Sequence, residues 1–147
     1  AAAAADHGKG IIIHNDAQHF SAGVDLNAFR AYIEAEDWDG IDGFLDRFQK
    51  AVCALKYTPV PVVGAPSGLA AGGGYEVLAH CDRLVVHTNS VMGLVEAGVG
   101  VVPGGGGIKD TFFRWHAAKD SWDEAAWQTW MNIGYGATGS SRSSRRG

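Results

Sequence analysis

The sequence predicts a single α/β domain in which short, largely parallel strands are flanked by helices. Patterns typical of strands and helices alternate along the chain with short connections between them, as they do in that class. The 147 residues are 46% hydrophobic and 19% charged, which is the composition of a globular protein with one buried core. Neither an internal repeat nor a domain boundary interrupts the pattern.

The first half of the chain predicts one strand followed by helices. The β-branched run at residues 11–13 predicts a buried strand. Residues 20–26 form a loop of small residues that leads into a polar helix. From residue 38 to residue 55 apolar side chains recur every three or four positions, which predicts an amphipathic helix. Pro59 and Pro61 end that helix.

The middle of the chain predicts the rest of the parallel layer. Residues 60–64 are a second apolar run between prolines and predict a second strand. The glycines at 72–74 open a helix at residues 75–80. A third strand is predicted directly after it, at residues 83–87.

The C-terminal third predicts a glycine-rich loop and one long helix. The loop covers residues 91–109 and includes Glu96, and the helix covers residues 112–133. Aromatic side chains on this helix are interpreted as core or subunit contacts rather than ligand contacts. They are Trp115, Trp122, Trp127 and Trp130.

The two ends of the chain differ in composition from the rest. We expect the domain to cover residues 1–135, with the alanines at 1–5 as the frayed end of a helix. Residues 136–147 are rich in serine, glycine and arginine, and they predict a disordered tail.

Charge and cysteine content exclude several classes of protein. The formal charge is −4 and the pI is about 5.8, whereas a nucleic-acid binder usually has a basic face. No apolar run is long enough to span a membrane, so no membrane partner is expected. Cys53 and Cys81 form neither a metal-spaced pair nor a disulfide framework, which predicts a reducing compartment, the cytosol or an organelle matrix, and we expect a cytoplasmic location.

Metal and phosphate sites are also not predicted. His14, His19, His80 and His116 have no metal-ligand spacing and no paired nucleophile. A dinucleotide motif starting at Gly98 or Gly72 requires a third glycine where Pro103 or Val77 stands. The glycines at 104–107 are not followed by the lysine and hydroxyl residue of a phosphate-binding loop.

The glycines at 72–74 therefore need another explanation. Backbone without side chains lets a ligand approach closely, and the first N–H groups of a helix are unpaired and partly positive. Such a turn can hold an oxygen on which negative charge develops. A tight turn packed against a neighbouring strand explains the same glycines equally well.

Four segments, taken together, resemble the crotonase (enoyl-CoA hydratase/isomerase) family. They are residues 20–26 (FSAGVDL), 61–76 (PVVGAPSGLAAGGGYE), 81–82 (CD) and 92–104 (MGLVEAGVGVVPG), in the family's order. The resemblance covers residues 10–109. It is closest to the hydratase segment of bacterial fused 3-hydroxyacyl-CoA dehydrogenase/enoyl-CoA hydratase proteins, and it implies a ClpP/crotonase ββα spiral core that is incomplete at both ends.

The resemblance implies a role for particular residues. The backbone N–H groups of Val24 and Gly73 match the family's oxyanion hole, which holds the thioester carbonyl. Glu76 and Glu96 match its two catalytic carboxyl groups: Glu76 would assist the water and Glu96 would protonate the α-carbon. Glu76 lies one turn into the helix that follows the glycines at 72–74, and Glu96 lies in a loop of glycine and valine. Both positions favour an interior carboxyl group with a raised pKa. Further contacts to the substrate or its coenzyme A are implied for Ala22, Gly23, Asp25, Leu26, Gly72 and Gly104.

The implied function is hydration of the 2,3 double bond of an enoyl-CoA thioester in fatty-acid β-oxidation. An isomerase of the same superfamily and a non-catalytic fragment that binds acyl-CoA or supports assembly are the alternatives. The implied partner is the acyl-CoA substrate, whose coenzyme A belongs to the substrate, so no cofactor is expected. A complete domain of this kind would form a homo-oligomer, a trimer or an assembly of trimers.

Overall fold

A computed structural model of the chain describes residues 8–140. The predicted helix end at residues 1–5 and most of the predicted tail lie outside the described residues. The elements in chain order are β1 (Ile11–Ile13), α1 (Leu26–Glu34), α2 (Trp38–Lys56), β2 (Val62–Gly64), β3 (Leu69–Ala71), α3 (Gly73–Ala79), β4 (Arg83–Leu84), β5 (Val91–Gly93), a 3-10 helix (Glu96–Val99), α4 (Gly107–Lys119), α5 (Trp122–Gly134) and β6 (Thr138–Ser140).

The strands form two small sheets that are largely parallel. In the first sheet β2 lies between β1 and β4 and runs parallel to both. In the second sheet β5 lies between β3, which is parallel to it, and β6, which is antiparallel. This arrangement confirms the predicted α/β class, because parallel neighbours require the crossover connections that the helices supply.

The buried core lies between the two sheets and the helix α3. Val62 of β2 and Ala70 of β3 have no exposed surface, and Leu78 of α3 is 1% exposed. Leu78 also limits the space around β2, since a Cβ atom added at Gly64 would lie 2.6 Å from Leu78 Cδ2. The core therefore fixes α3, which carries Glu76 in its first turn, against the first sheet.

Three parts of the sequence prediction were wrong. The strand β3 was missed because it contains two alanines, which have low strand propensity. The predicted loop at 91–109 contains β5, the 3-10 helix and the start of α4, whose N-cap Gly106 has a φ of +105°. The helix predicted at 112–133 is two helices, because Asp120 adopts a left-handed φ of +51° and Ser121 caps α5.

Smaller differences concern the ends of elements and the surface. The third predicted strand is only two residues long, and three residues of the predicted tail, Thr138–Ser140, form β6. The aromatic residues Trp122, Trp127 and Trp130 are more than half exposed, so they do not belong to the core. Within residues 8–140, no helix combines the length and the apolar character that a membrane crossing requires.

Replacement of Leu78 by alanine tests the importance of the core around α3. Because the side chain is 1% exposed, Leu78→Ala is expected to lower the free energy of unfolding by about 2–5 kcal/mol. Ile33 of α1 is 50% exposed, so Ile33→Ala is the control and is expected to change stability far less. Chemical denaturation followed by circular dichroism measures both, and equal losses would contradict this description of the core.

Candidate active site

The glycine turn before α3 places an N–H group at the end of the helix. Gly72 has a φ of +55° and a ψ of −127°, a conformation that only glycine adopts readily, and its N–H donates to Gly93 O at 2.9 Å. Gly73 is the first residue of α3, where the N–H has no acceptor within the helix. The turn therefore leaves the Gly73 N–H directed away from the helix.

A second turn lies beside the first. Ser21 forms a parallel bridge with Ala70, and Ala71 N donates to Ser21 O at 3.0 Å. Gly23 follows with a φ of +98°, and a Cβ atom added to it would lie 3.8 Å from Gly73 N. Val24 Cγ1 lies 3.6 Å from the position of a Cβ atom at Gly73. The structure therefore brings the segments around Val24 and Gly73 together.

The two N–H groups named by the sequence resemblance are available to a ligand. Among residues 8–140, neither the Val24 N–H nor the Gly73 N–H donates a hydrogen bond to the backbone or to a side chain. Both residues line the same cavity, whose volume is about 500 Å³. Two free main-chain donors at one cavity wall can bind an oxygen that carries developing negative charge.

The walls of this cavity are mostly apolar. Phe29 of α1 and the side chains of Phe44, Leu45 and Phe48 on α2 form one wall. A further part of the lining consists of valines and glycines in and around the 3-10 helix. They are Val95, Val99, Gly100, Val101, Val102, Gly104 and Gly105. Glu76 and Glu96 are the two charged residues that line this cavity in the described part of the chain.

Glu76 is a buried carboxyl group held by main-chain donors. Its side chain is 2% exposed, and its Oε1 accepts hydrogen bonds from Gly105 N and Gly107 N, each at 2.8 Å. Burial raises the pKa of Glu76 above its usual value, the two N–H donors oppose this, and the nearby charges of Glu96 and Asp110 add to it. Its Oε2 accepts no hydrogen bond from the described residues.

Glu96 is the second carboxyl group of the cavity and begins the 3-10 helix. Its Oε1 lies 3.1 Å from the position of a Cβ atom at Gly72, which places the carboxyl group next to the glycine turn. Its Oε2 is buried without a hydrogen-bond partner among the described residues. Burial raises the pKa of Glu96, and the main-chain N–H groups of Glu96 and Val95 oppose the rise.

Nearly all of the residues predicted from the sequence line this one cavity. The exception is Asp25, which is exposed and caps α1 by accepting a hydrogen bond from Asn27 N at 2.9 Å. The residues that line it as predicted are Ala22, Gly23, Val24, Leu26, Gly72, Gly73, Glu76, Glu96 and Gly104.

Sequence reasoning missed the donors to Glu76 and the aromatic wall. The cluster of glycines at 104–107 was noted, but nothing in its sequence indicates that Gly105 N and Gly107 N both contact the carboxyl group. A Cβ atom added at Gly105 would lie 2.6 Å from Glu76 Oε2 and against Phe48, which explains the absence of a side chain there.

A second cavity of about 400 Å³ adjoins the first. It shares five lining residues with it: Gly23, Val24, Phe44, Phe48 and Gly73. His14 and Asn15 add polar groups to its lining. The residues at the two free N–H groups therefore border both cavities, so an elongated ligand could place its middle at these groups.

The arrangement is suited to acid–base chemistry at an activated carbonyl. Two main-chain donors can stabilise an oxyanion, and two carboxyl groups with raised pKa values can exchange protons with a bound ligand. Within residues 8–140, no group of three or more histidine, cysteine, aspartate or glutamate side chains is placed to hold a metal ion.

Comparison with known proteins gives consistent matches. The family model for enoyl-CoA hydratase/isomerase matches residues 2–115. A probable 3-hydroxyacyl-CoA dehydrogenase of Bacillus subtilis (strain 168) is 36% identical over 106 residues, which are 72% of this chain and 13% of that protein. Methylglutaconyl-CoA hydratase of Mus musculus is 36% identical over 90 residues, which are 61% of this chain and 27% of that protein.

Solved structures match over the length of the chain. A crystal structure of an enoyl-CoA hydratase from Polaromonas sp. JS666 superposes with a TM-score of 0.80 at 22% identity, covering 97% of this chain and 52% of that one. An enoyl-CoA hydratase from Thermoplasma volcanium GSS1 superposes with a TM-score of 0.77 at 19% identity, covering 98% of this chain and 53% of that one. The chain thus has their fold and spans about half of their length.

Replacement of Gly105 by alanine tests the packing behind Glu76. Because the new Cβ would meet both Phe48 and Glu76 Oε2, Gly105→Ala is expected to lower the free energy of unfolding by about 1–3 kcal/mol. Gly98 has no atom within 4 Å of an added Cβ, so Gly98→Ala is the matched control and should lack this penalty. Urea denaturation of both variants measures the difference, and equal stabilities would contradict the contact.

The pH dependence of stability tests the state of Glu76. Because its pKa is raised on folding, its stabilising contribution is complete below the unfolded-state pKa of about 4.3 and is lost as the pH rises through the folded-state pKa. Glu76→Gln removes this loss, and its amide oxygen can still accept from Gly105 N and Gly107 N. The stability of Glu76→Gln relative to the parent is therefore expected to rise between pH 4 and pH 9.

Thermal unfolding across that pH range measures the effect. Glu34 is exposed in an ion pair with Arg30, so Glu34→Gln is the control and is expected to show no such rise. A stability difference between Glu76→Gln and the parent that does not change with pH would show that burial does not raise the pKa of the Glu76 carboxyl group.

Proposed function

Because the chain belongs to the enoyl-CoA hydratase/isomerase (crotonase) family, we propose that it adds water across the 2,3 double bond of an enoyl-CoA thioester in fatty-acid β-oxidation. The family membership confirms the resemblance seen in the four sequence segments. The observation that supports the hydratase proposal most directly is that Glu76 and Glu96 share one apolar cavity with two free main-chain N–H groups.

The thioester carbonyl is proposed to lie between Val24 N and Gly73 N. Addition of water at the β-carbon moves electrons onto this carbonyl oxygen, which gains negative charge in the transition state. Fixed donors in a low-dielectric site stabilise this charge, and the loss of one such donor typically costs about 100- to 1,000-fold in rate. Since the donors are main-chain groups, the side chain of Val24 contributes shape rather than chemistry.

The two carboxyl groups are proposed to divide the proton transfers. Glu76 acts in its ionised form on the attacking water, because its free Oε2 can accept a proton while Oε1 stays fixed by Gly105 N and Gly107 N. Glu96 acts in its protonated form and donates to the α-carbon. Burial supports both roles, because a raised pKa makes Glu76 a stronger base and keeps Glu96 protonated closer to neutral pH.

The acyl part of the substrate is proposed to occupy the apolar walls. Phe29, Phe44, Leu45 and Phe48 offer no charged partner, and the two charged groups of the cavity are both acidic. An apolar acyl chain fits these walls better than a chain that ends in a carboxylate, because a buried carboxylate without a cation is costly.

The remaining expectations are part of the proposal. We expect the coenzyme A of the substrate to be the only coenzyme in the reaction. We also expect a cytoplasmic location and assembly into a homo-oligomer. The exposed aromatic side chains of α5, Trp127 and Trp130, support an assembly role for that helix, since exposed apolar patches often mark contact surfaces.

Substitution of each glutamate tests the hydratase proposal. Glu76→Gln and Glu96→Gln keep the size of the side chain but remove its ability to exchange protons, so each is expected to lower kcat for crotonyl-CoA by about 100- to 10,000-fold. The loss of the enoyl thioester absorbance measures the rate. Glu34→Gln, on the exposed face of α1, is the control and should retain full activity.

Two other results would argue against a hydratase. Full activity in both glutamine variants would contradict the proposal. A parent chain that isomerises a 3-enoyl thioester and needs only one of the two glutamates would be an isomerase, since one carboxylate is enough to move a proton between two carbons.

A further inference from the structure

A buried polar cluster lies behind Glu76, on residues that do not line the cavity. Lys56 is the last residue of α2, His80 follows α3, and Asp110 lies in the first turn of α4. Asp110 Oδ1 lies 2.9 Å from Lys56 Nζ, and Asp110 Oδ2 lies 2.8 Å from His80 Nε2. The side chain of His80 is fully buried and that of Asp110 is 5% exposed, so the ends of three helices meet at one shielded carboxylate.

The cluster contacts the main chain of Glu76 directly. His80 Nδ1 lies 2.7 Å from Glu76 O, and because a carbonyl oxygen can only accept, Nδ1 carries the hydrogen. The other ring nitrogen faces Asp110. The imidazole ring thus lies between the carboxylate on α4 and the peptide group of Glu76 on α3. Its Nδ1 hydrogen-bonds to Glu76 O, and its Nε2 contacts Asp110 Oδ2 without hydrogen-bond geometry and attracts it when the ring carries both protons.

The main chain of Asp110 also lies next to the donors that hold the Glu76 side chain. Asp110 N donates to Gly106 O at 3.0 Å, and Gly106 lies between Gly105 and Gly107, whose N–H groups hold Glu76 Oε1. His80 packs against this loop, since a Cβ atom added at Gly106 would lie 3.4 Å from His80 Nε2. A shift of Asp110 would therefore move both the His80 ring at Glu76 O and the loop whose N–H groups hold Glu76 Oε1.

We propose that Asp110, acting through His80 and the start of α4, is a positioning residue for Glu76. Asp110 fixes the N–H groups of Gly105 and Gly107 against Glu76 Oε1, which leaves Oε2 as the oxygen available to the cavity. The proposal rests on the proposed function of Glu76 as the group that acts on water. It assigns Asp110 no contact with the substrate.

The charges around Glu76 make this role measurable. Asp110 and Glu96 are the two acidic groups whose charges raise the pKa of Glu76. Lys56 neutralises Asp110 from α2, and Arg114 of α4 donates from its Nη2 to Ala79 O of α3 at 2.5 Å. Removal of the Asp110 charge should therefore lower the pKa of Glu76, whereas removal of Lys56 should raise it.

The first experiment compares Asp110→Asn with the parent in kinetics and binding. We expect kcat for crotonyl-CoA to fall about 10- to 100-fold because Glu76 loses its alignment. Butyryl-CoA has no double bond to hydrate, and its Kd, measured by calorimetry, is expected to stay within about 2-fold of the parent value, since the cavity is unchanged. An equal loss of binding and turnover, or no loss of turnover, would overturn the proposal.

Asp123→Asn is the matched control for this comparison. Asp123 lies in the first turn of α5 and is exposed, so the variant makes the same chemical change at the same place in a helix. It is expected to leave kcat, the Kd for butyryl-CoA and the titration of Glu76 unchanged. A parent chain that does not hydrate crotonyl-CoA would contradict the proposed function. The NMR titration of Glu76 would then still test the role of Asp110, because it does not require turnover.

The second experiment follows the ionisation of Glu76 without requiring turnover. The Glu76 carboxyl carbon is followed by NMR during a pH titration and assigned with Glu76→Gln. We expect its midpoint to move to lower pH in Asp110→Asn and to higher pH in Lys56→Met, where Asp110 is no longer neutralised. Because the Lys56 side chain is more than one-third exposed, its replacement should perturb folding less than replacement of the buried Asp110. An unchanged midpoint in both variants, or shifts in the same direction, would overturn the proposal.

Discussion

The pair of hydrogen bonds from Gly105 N and Gly107 N to Glu76 Oε1 is the interaction on which the rest of the site depends. A carboxyl group that is 2% exposed needs donors that do not move, and main-chain N–H groups at the start of α4 meet this need. These bonds hold one oxygen and leave the other for chemistry. They also connect the start of α4 to α3. The orientation of the carboxyl group therefore depends on how these two helices pack together.

Glycine is required at this site because several backbone segments must come close together. The turns at Gly23 and Gly72 both have positive φ values, and they bring the N–H groups of Val24 and Gly73 to one cavity wall. At Gly105 the limit is space rather than φ, since a Cβ atom would meet Glu76 itself. Glycine at these three positions therefore has two physical causes, backbone conformation and the absence of room for a side chain.

Electrostatics and packing act together behind the site. Burial raises the pKa of both Glu76 and Glu96, and each carboxylate that approaches Glu76 raises its pKa further. Asp110 is itself paired with Lys56 and in contact with His80, so its carboxylate lies where the ends of three helices meet. In this arrangement the pKa of Glu76 depends on burial, on Glu96 inside the cavity and on Asp110, which does not line the cavity.

The sequence by itself determined the α/β class and several of the elements, and it predicted the two glutamates and the two N–H groups as site residues, because periodicity, glycine clusters and motif order are local properties of the chain. It missed β3, the division between α4 and α5, and the contacts of Gly105, Gly107, His80 and Asp110, and it did not show that Asp25 caps α1. Only the tertiary structure decided these. Such contacts join residues about 30 positions apart, and no local pattern encodes which backbone N–H or imidazole a buried carboxyl group will meet.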